Sequence, residues 1–173
     1  MTGGTPAWLP PLMELAAYGG NWQQYIDAVY AVFYGDFIAR RARYGSREIL
    51  FLGYDGQLLD GKERRFWHCV TEGNIEEDRV PDLRRCERVP WMRPVIENAS
   101  DVPVDVWVED QGRKGLRPHL WVNEEYLIVL ERLWKGDFRL ITTFHTLEDH
   151  QVRKYRRRRD EWIKKNAASE DGA

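Results

Sequence analysis

Cysteine is nearly absent from this chain of 173 residues: Cys69 and Cys86 are its only two. Two thiols are too few for a disulfide framework, and no His/Cys spacing beside them suits zinc. They read as small buried side chains in a reducing, cytoplasmic setting. Long apolar runs are missing as well, with nothing near the roughly 18 residues that a membrane span needs. The N-terminus has no charged segment followed by an apolar stretch, so no secretory signal is expected. A strong charge of one sign is also lacking, since the formal net charge is −2. Phosphate-cradling glycine loops, dinucleotide fingerprints, HExxH and GxSxG are all absent. Acidic residues are plentiful but without ligand spacing, so any chemistry is expected to run without metal or cofactor.

What the chain does have is aromatic surface and locally sorted charge. Aromatics make up 13%, with eight tryptophans and eight tyrosines. Most are expected in the core, and any left exposed are able to stack on nucleobases. From Glu148 to Lys165, eight Lys/Arg stand against four acids. From Glu72 to Asp82 the balance reverses, with five acids against Arg79 alone. Such polarity steers a phosphate ligand to one face; a helix face laced with ion pairs is the alternative.

The length fits a single domain over residues 21–166, with an irregular opening at 1–20 and a flexible tail at 167–173. Gly3-Gly4, Pro10-Pro11 and Gly19-Gly20 break the opening, with one short helix expected at Leu12–Tyr18. Asn21 is placed to cap a long helix whose stripe of Trp22, Tyr25, Ile26, Val29, Phe33 and Phe37 predicts a core-facing element to about Arg41. Ile49–Leu52 reads as a buried strand ended by Asp55-Gly56. A second helix is expected over Lys62–Glu72, closed by Gly73, although a strand there stays open. Pro81 begins a short helix with Leu83 and Cys86 inward, and Pro90 stops it. Beyond Asn98 the period becomes two: Val104–Val108, Leu120–Val122, Tyr126–Leu133 and Phe138–Phe144 are strands. A tight turn at Trp134–Asp137 joins the last two. A basic helix from Leu147 to about Lys165 follows. Helices first and a contiguous antiparallel sheet of about four strands afterwards make an α+β fold.

Three places carry candidate chemistry. On a helix, His68 shares a face with Arg64, Arg65 and Glu72, and a histidine flanked by a carboxylate and cations suits proton transfer. It also reads as a half-exposed helix histidine beside an ion pair. Arg84, Arg85 and Arg88 form a cluster in which Arg84 and Arg88 are expected on one exposed face. Guanidinium groups there suit bidentate capture of a phosphodiester, or pair with Glu87. Thr142 and Phe144 are expected on one face of the last strand, with Ile141 and Thr143 on the other. A strand-end hydroxyl suits a phosphate oxygen, and threonine is also simply a good strand former.

Helices, then an antiparallel sheet, with His68 on an early helix and Thr142 in the final Leu140-Ile141-Thr142-Thr143-Phe144 strand, resemble the metal-independent (BECR) nuclease superfamily. That group holds barnase, EndoU, the colicin-type tRNases and RelE, and the likeness runs over residues 62–165. Separately, the run from Phe66 through Arg84-Arg85-Cys86-Glu87-Arg88 to Asn98 is similar to a family of bacterial proteins that brings no activity with it. The nuclease resemblance implies His68 and Thr142 at the recurring His and Ser/Thr positions, and Arg85 or Arg88 as the basic residue. It implies an endoribonuclease of toxin or phage-related type, in which a 2′-hydroxyl attacks the adjacent phosphate. His68, assisted by Glu72, moves the proton while the arginines and Thr142 stabilise charge. Arg84, Arg153, Lys154, Arg156 and Arg157 would hold the RNA backbone. Expected partners are RNA and a cognate antitoxin or other protein. A non-catalytic nucleic-acid-binding module and a protein-interaction protein remain the alternatives.

Overall fold

A computed structural model of the chain describes residues 5–99, 101–146 and 148–170. The expected helix start at Leu147, Gly3-Gly4, and the last three residues lie outside these. Asn21 caps the first helix, its Oδ1 accepting from the Gln24 amide at 3.1 Å. Helix α1 (Trp22–Phe33) buries Tyr25, Ile26, Val29 and Phe33. It then loosens into a π-helical segment, Tyr34–Ala39, that still buries Phe37. The apolar stripe therefore extends as far as the sequence implies, though the hydrogen-bond ladder changes along it. The opening is irregular yet docked: a single 3-10 turn spans Leu15–Tyr18. Tyr25 donates to the Met13 carbonyl and Trp91 to that of Pro10, both at 2.8 Å.

Short ribbons follow. Strands β1 (Arg43–Tyr44) and β2 (Arg47–Glu48) pair, as do β3 (Leu58–Leu59) and β4 (Lys62–Glu63). The strand expected at Ile49–Leu52 shrinks to a single parallel bridge between Ile49 and Phe138. Ile49 is fully buried but Leu52 is exposed, so the apolar run is not one continuous core element. Helix α2 (Arg64–Val70) is shorter than expected. Thr71–Glu72 leave it as strand β5, paired with β6 (Val80–Pro81). Glu72 is therefore not on the helix face of His68.

Helix α3 (Leu83–Glu87) is capped by Asp82, whose carboxylate accepts from the Arg84 and Arg85 amides. Its buried residues are Arg85 and Cys86, while Leu83 is 42% exposed, reversing the expected inward leucine. Pro90 does not stop this helix; it sits in the first turn of α4 (Val89–Glu97). A proline is tolerated there because the first amides of a helix have no intrahelical acceptor to lose.

The main sheet is an antiparallel meander in the order β10-β9-β8-β7. Its strands are β7 (Val104–Asp110), β8 (Leu116–Val122), β9 (Tyr126–Arg132) and β10 (Phe138–His145). The β8–β9 connection turns through Asn123 and Glu124, both at positive φ, the twist that suits a tight hairpin. Alternation sends Leu120, Val122, Ile128, Leu130 and Leu140 into one core with α1, α2 and α4. Trp107, Trp121, Leu127 and Val129 face the other way. Helix α5 (Asp149–Glu170) covers them with Val152, Tyr155 and Trp162, residues three and seven apart on one stripe. It runs past the expected end at Lys165. Among the described residues the fold is thus α+β, with five α-helices and a four-stranded antiparallel sheet between two helical layers.

One irregularity matters for the site. The β9–β10 register shifts between Leu140 and Thr142, leaving Ile141 as an extra, bulged residue. Thr142 and Phe144 do share a face, but Ile141 joins them there, packing beside Phe144. Thr143 alone points to the opposite core.

Candidate active site

Helix α2 lies against β10, and each of its residues has a definite direction. Phe66, Cys69 and Val70 enter the core. Thr143 is fully buried and donates to the Cys69 carbonyl at 3.0 Å. Arg65 donates to the Ile141 carbonyl at the bulge and to Asp55, whose side chain is 5% exposed. With these positions taken, Arg64, Trp67, His68 and Thr71 remain, spaced three, four and seven apart on one side.

That side forms the wall of an open cleft of about 540 Å³, which Tyr54, Leu59 and Arg79 also line. A smaller recess of about 150 Å³ adjoins it, lined by Tyr54, Asp55, Arg64, Arg65 and His68. His68, half-buried, lines both. The Arg64 guanidinium lies 4.8 Å from the Tyr54 ring centre and donates to the Tyr54 hydroxyl at 3.1 Å. Trp67 is held by a 2.8 Å bond from its indole nitrogen to the Leu59 carbonyl. Arg79 closes the end of α2, donating to the carbonyls of His68 (3.1 Å), Thr71 (2.5 Å) and Gly73 (2.7 Å) and to the Thr71 hydroxyl (2.9 Å). One side chain thereby satisfies carbonyls that a helix end leaves unpaired.

The other candidate residues stand elsewhere. Glu72 lines a separate cleft with Arg84, His145 and Glu148. Arg85 is buried, bonded to Asp82 at 3.0 Å and to the Thr71 carbonyl at 2.9 Å. Arg88, expected on an exposed face, is 3% exposed and bonds Glu125, Glu87 and the Arg84 carbonyl. These two arginines hold helices and loops together; of the cluster, Arg84 is the exposed one. Thr142 is buried on the α5 face, 3.5 Å from the Thr143 carbonyl. The structure thus brings His68 together with Arg64, and not with Glu72, Arg85, Arg88 or Thr142. On α5, Arg156 is tied to Glu124 in a two-pronged pair, Arg158 to Glu109 and Arg159 to Asp105. Arg153, Lys154 and Arg157 face solvent, the last 3.8 Å from Glu161.

Tyr54 and Arg79 were not legible as site residues, although Arg79 is the single cation in the acidic 72–82 run. His119 is buried beneath α5, stacked on Trp107 with ring centres 5.0 Å apart. Burial holds its imidazole below the usual range, against the opposing pull of Glu109. His145 is shifted the same way, first by burial and then by Arg88, with Glu125 opposing. Burial pushes the Cys69 and Cys86 thiols up to about 12, so both stay protonated and inert as nucleophiles. Among the described residues no three His, Cys, Asp or Glu side chains group as metal ligands, and no helix is long and apolar enough to cross a membrane. No protein-family model, no curated protein and no solved structure matches the chain.

Proposed function

We propose that the cleft at His68 is the active site of a metal-independent endoribonuclease. The observation that carries this reading is the position of His68 between two adjoining recesses, with Arg64, Tyr54 and Trp67 lining the larger one beside it. Those groups suit RNA: a guanidinium for the phosphate, aromatic side chains for splayed bases, and an imidazole to carry a proton. In the proposed step the 2′-oxygen forms a bond to the adjacent phosphorus and its proton passes to His68. The bond from phosphorus to the 5′-oxygen breaks, and that oxygen takes a proton from water in the open cleft. The products are a cyclic phosphate and a free 5′-hydroxyl. Arg64 stabilises the charge that builds on the phosphate oxygens. Arg85, Arg88 and Thr142, implied as catalytic by the nuclease resemblance, stand outside this cleft and take no part in the step. A toxin or phage-related role, a cytoplasmic setting and a cognate antitoxin that restrains cleavage belong to this same reading.

The test is incubation of the purified protein with total and defined RNAs in chelator, beside His68→Ala, Arg64→Ala and Thr142→Val. Cutting that is lost in the first two and kept in the third supports the assignment. Loss in Thr142→Val, with the variant folded, would return the chemistry to the final strand.

The solvent-facing Arg153, Lys154 and Arg157 favour a second reading, a nucleic-acid-binding module without chemistry. It requires RNA affinity that falls steeply with salt and is weakened by charge removal on α5, with no cut product.

A further inference from the structure

The main sheet has two edges, and the fold treats them differently. Strand β10 breaks register at Ile141, whose carbonyl Arg65 takes, and its Phe138 carbonyl accepts from the Leu50 amide at 2.8 Å. A bulge and covering bonds are common means of closing an edge to other strands. Strand β7 has neither. Its pairs with β8 run without a shift from Val104 to Asp110. No lysine or proline interrupts it, and it ends the sheet.

Parity decides which backbone groups this edge leaves open. Gln111 donates to the Gly115 carbonyl at 3.0 Å, and in an antiparallel ladder every second residue bonds the same neighbour. Glu109, Trp107 and Asp105 therefore bond β8, while Val108, Val106 and Val104 aim their N–H and C=O groups outward. The Val104 amide agrees with this, since it donates to the Asp101 carbonyl at 2.8 Å rather than to β8. Among the described residues nothing pairs with the outward groups of Val106 and Val108. On the α4 side of the edge, Val106 lines a largely apolar cleft of about 390 Å³ with Tyr44, Gly45, Ile96, Glu97 and Ala99.

We propose that β7 is a dimerisation edge, at which two copies of this chain pair β7 with β7, antiparallel, about a two-fold axis beside Trp107. Val106 then faces Val108 of the second copy and the reverse, each pair exchanging both backbone bonds. The axis makes the contact self-complementary. A one-residue slip sets inward-bonding groups against outward ones. The next register on one side brings Val108 of the second copy onto Val104, whose amide Asp101 occupies. The next on the other side brings Asp110 onto Val106, over the apolar cleft. In the paired register Asp105 comes opposite Glu109 of the second copy, yet Arg159 holds the first at 2.6 Å and Arg158 the second at 3.2 Å. The seam on the α5 face thus carries paired charge. On the cleft face valines adjoin across it, and β7 itself supplies them at alternate positions, which makes a second copy the fitted occupant. Dimerisation through β7 does not depend on the ribonuclease reading, whose cleft lies by β10 at the opposite edge.

Sedimentation of the full chain over a range of concentrations is paired with amide hydrogen exchange resolved by residue. A dimer is expected in which the Val106 and Val108 amides slow as concentration rises, while the Trp107 amide, bonded to β8, is protected throughout. Val108→Pro removes an outward donor that β8 does not use, a change an edge strand tolerates. Val106→Lys places a charge at the seam. Each variant is expected to fold and to weaken dimerisation about tenfold or more, a loss of roughly 1.4 kcal/mol. A chain that stays monomeric at millimolar concentration, leaving the edge to another occupant, overturns the proposal. So does a dimer whose Val106 and Val108 amides exchange as in the monomer, or one that both folded variants form as tightly as wild type.

Discussion

Arg65 donates to the carbonyl of Ile141, so the helix that carries His68 is fastened at the one residue where the edge strand breaks register. The sequence holds no hint of this bond, because Ile141 reads as an ordinary strand residue and Arg65 as a neighbour of His68 on one helix face. The bond exists because the bulge re-aims a carbonyl and Asp55 holds the guanidinium against it.

Removing Arg65 breaks a buried pair and leaves Asp55 with the more distant Arg139, 3.9 Å away. Arg65→Met is expected to destabilise the fold by about 3 kcal/mol, read as a lower urea midpoint. Asp55→Asn/Arg65→Met, which removes both charges, is expected to recover part of that loss. If the single variant unfolds at the wild-type midpoint, the clamp on α2 is not a structural tie.

Thr143 makes the second tie, from β10 to the Cys69 carbonyl. Thr143→Val keeps the shape and removes the donor, at an expected cost of about 1–2 kcal/mol. Thr143→Ser keeps the hydrogen bond and loses one buried methyl group, costing about 1 kcal/mol. Hydrogen exchange at the α2 amides is expected to quicken more in the valine variant than at the amides of α1.

Much of the architecture was legible. Asn21 and the stripe from Trp22 to Phe37 mark one core-facing segment because cap and periodicity agree. The four strands announce themselves through two-residue alternation and a tight turn before Phe138. Less was legible where the decisive partner is remote. Arg88 reads as a surface cation because Glu125, which buries it, lies 37 residues away. Glu72 reads as helical because nothing local reveals that Val80 will pair with it. Pro90 reads as a stop because a proline that ends one helix and one that starts the next look alike in sequence. At the site, His68 and Arg64 were found together by helical spacing, whereas Tyr54 comes from a 3-10 turn, Gly53–Gly56, whose approach depends on tertiary packing.

Acid is expected to weaken the fold between pH 7 and 5 through His119 and His145. Both imidazoles are held below their usual value, mainly by burial. The unfolded chain, titrating near 6.5, therefore binds protons before the folded chain does. The stability they contribute is complete above that value and declines as pH falls from it towards the folded-state values. Urea midpoints measured across this window should fall with pH in the wild type. They should fall less steeply in His119→Gln/His145→Gln, each protein compared with its own value at pH 7. A wild-type midpoint that stays level would show that neither histidine is buried neutral.

His68 chemistry is tested by single-turnover cleavage of a defined RNA in chelator, paired with the same RNA carrying one 2′-deoxy substitution at the mapped site. A cyclic phosphate end is expected, with no cutting at the substituted position and a loss of about 10²–10⁴-fold in rate for His68→Ala. Cleavage that survives the deoxy substitution, or that proceeds at the wild-type rate without His68, would contradict it.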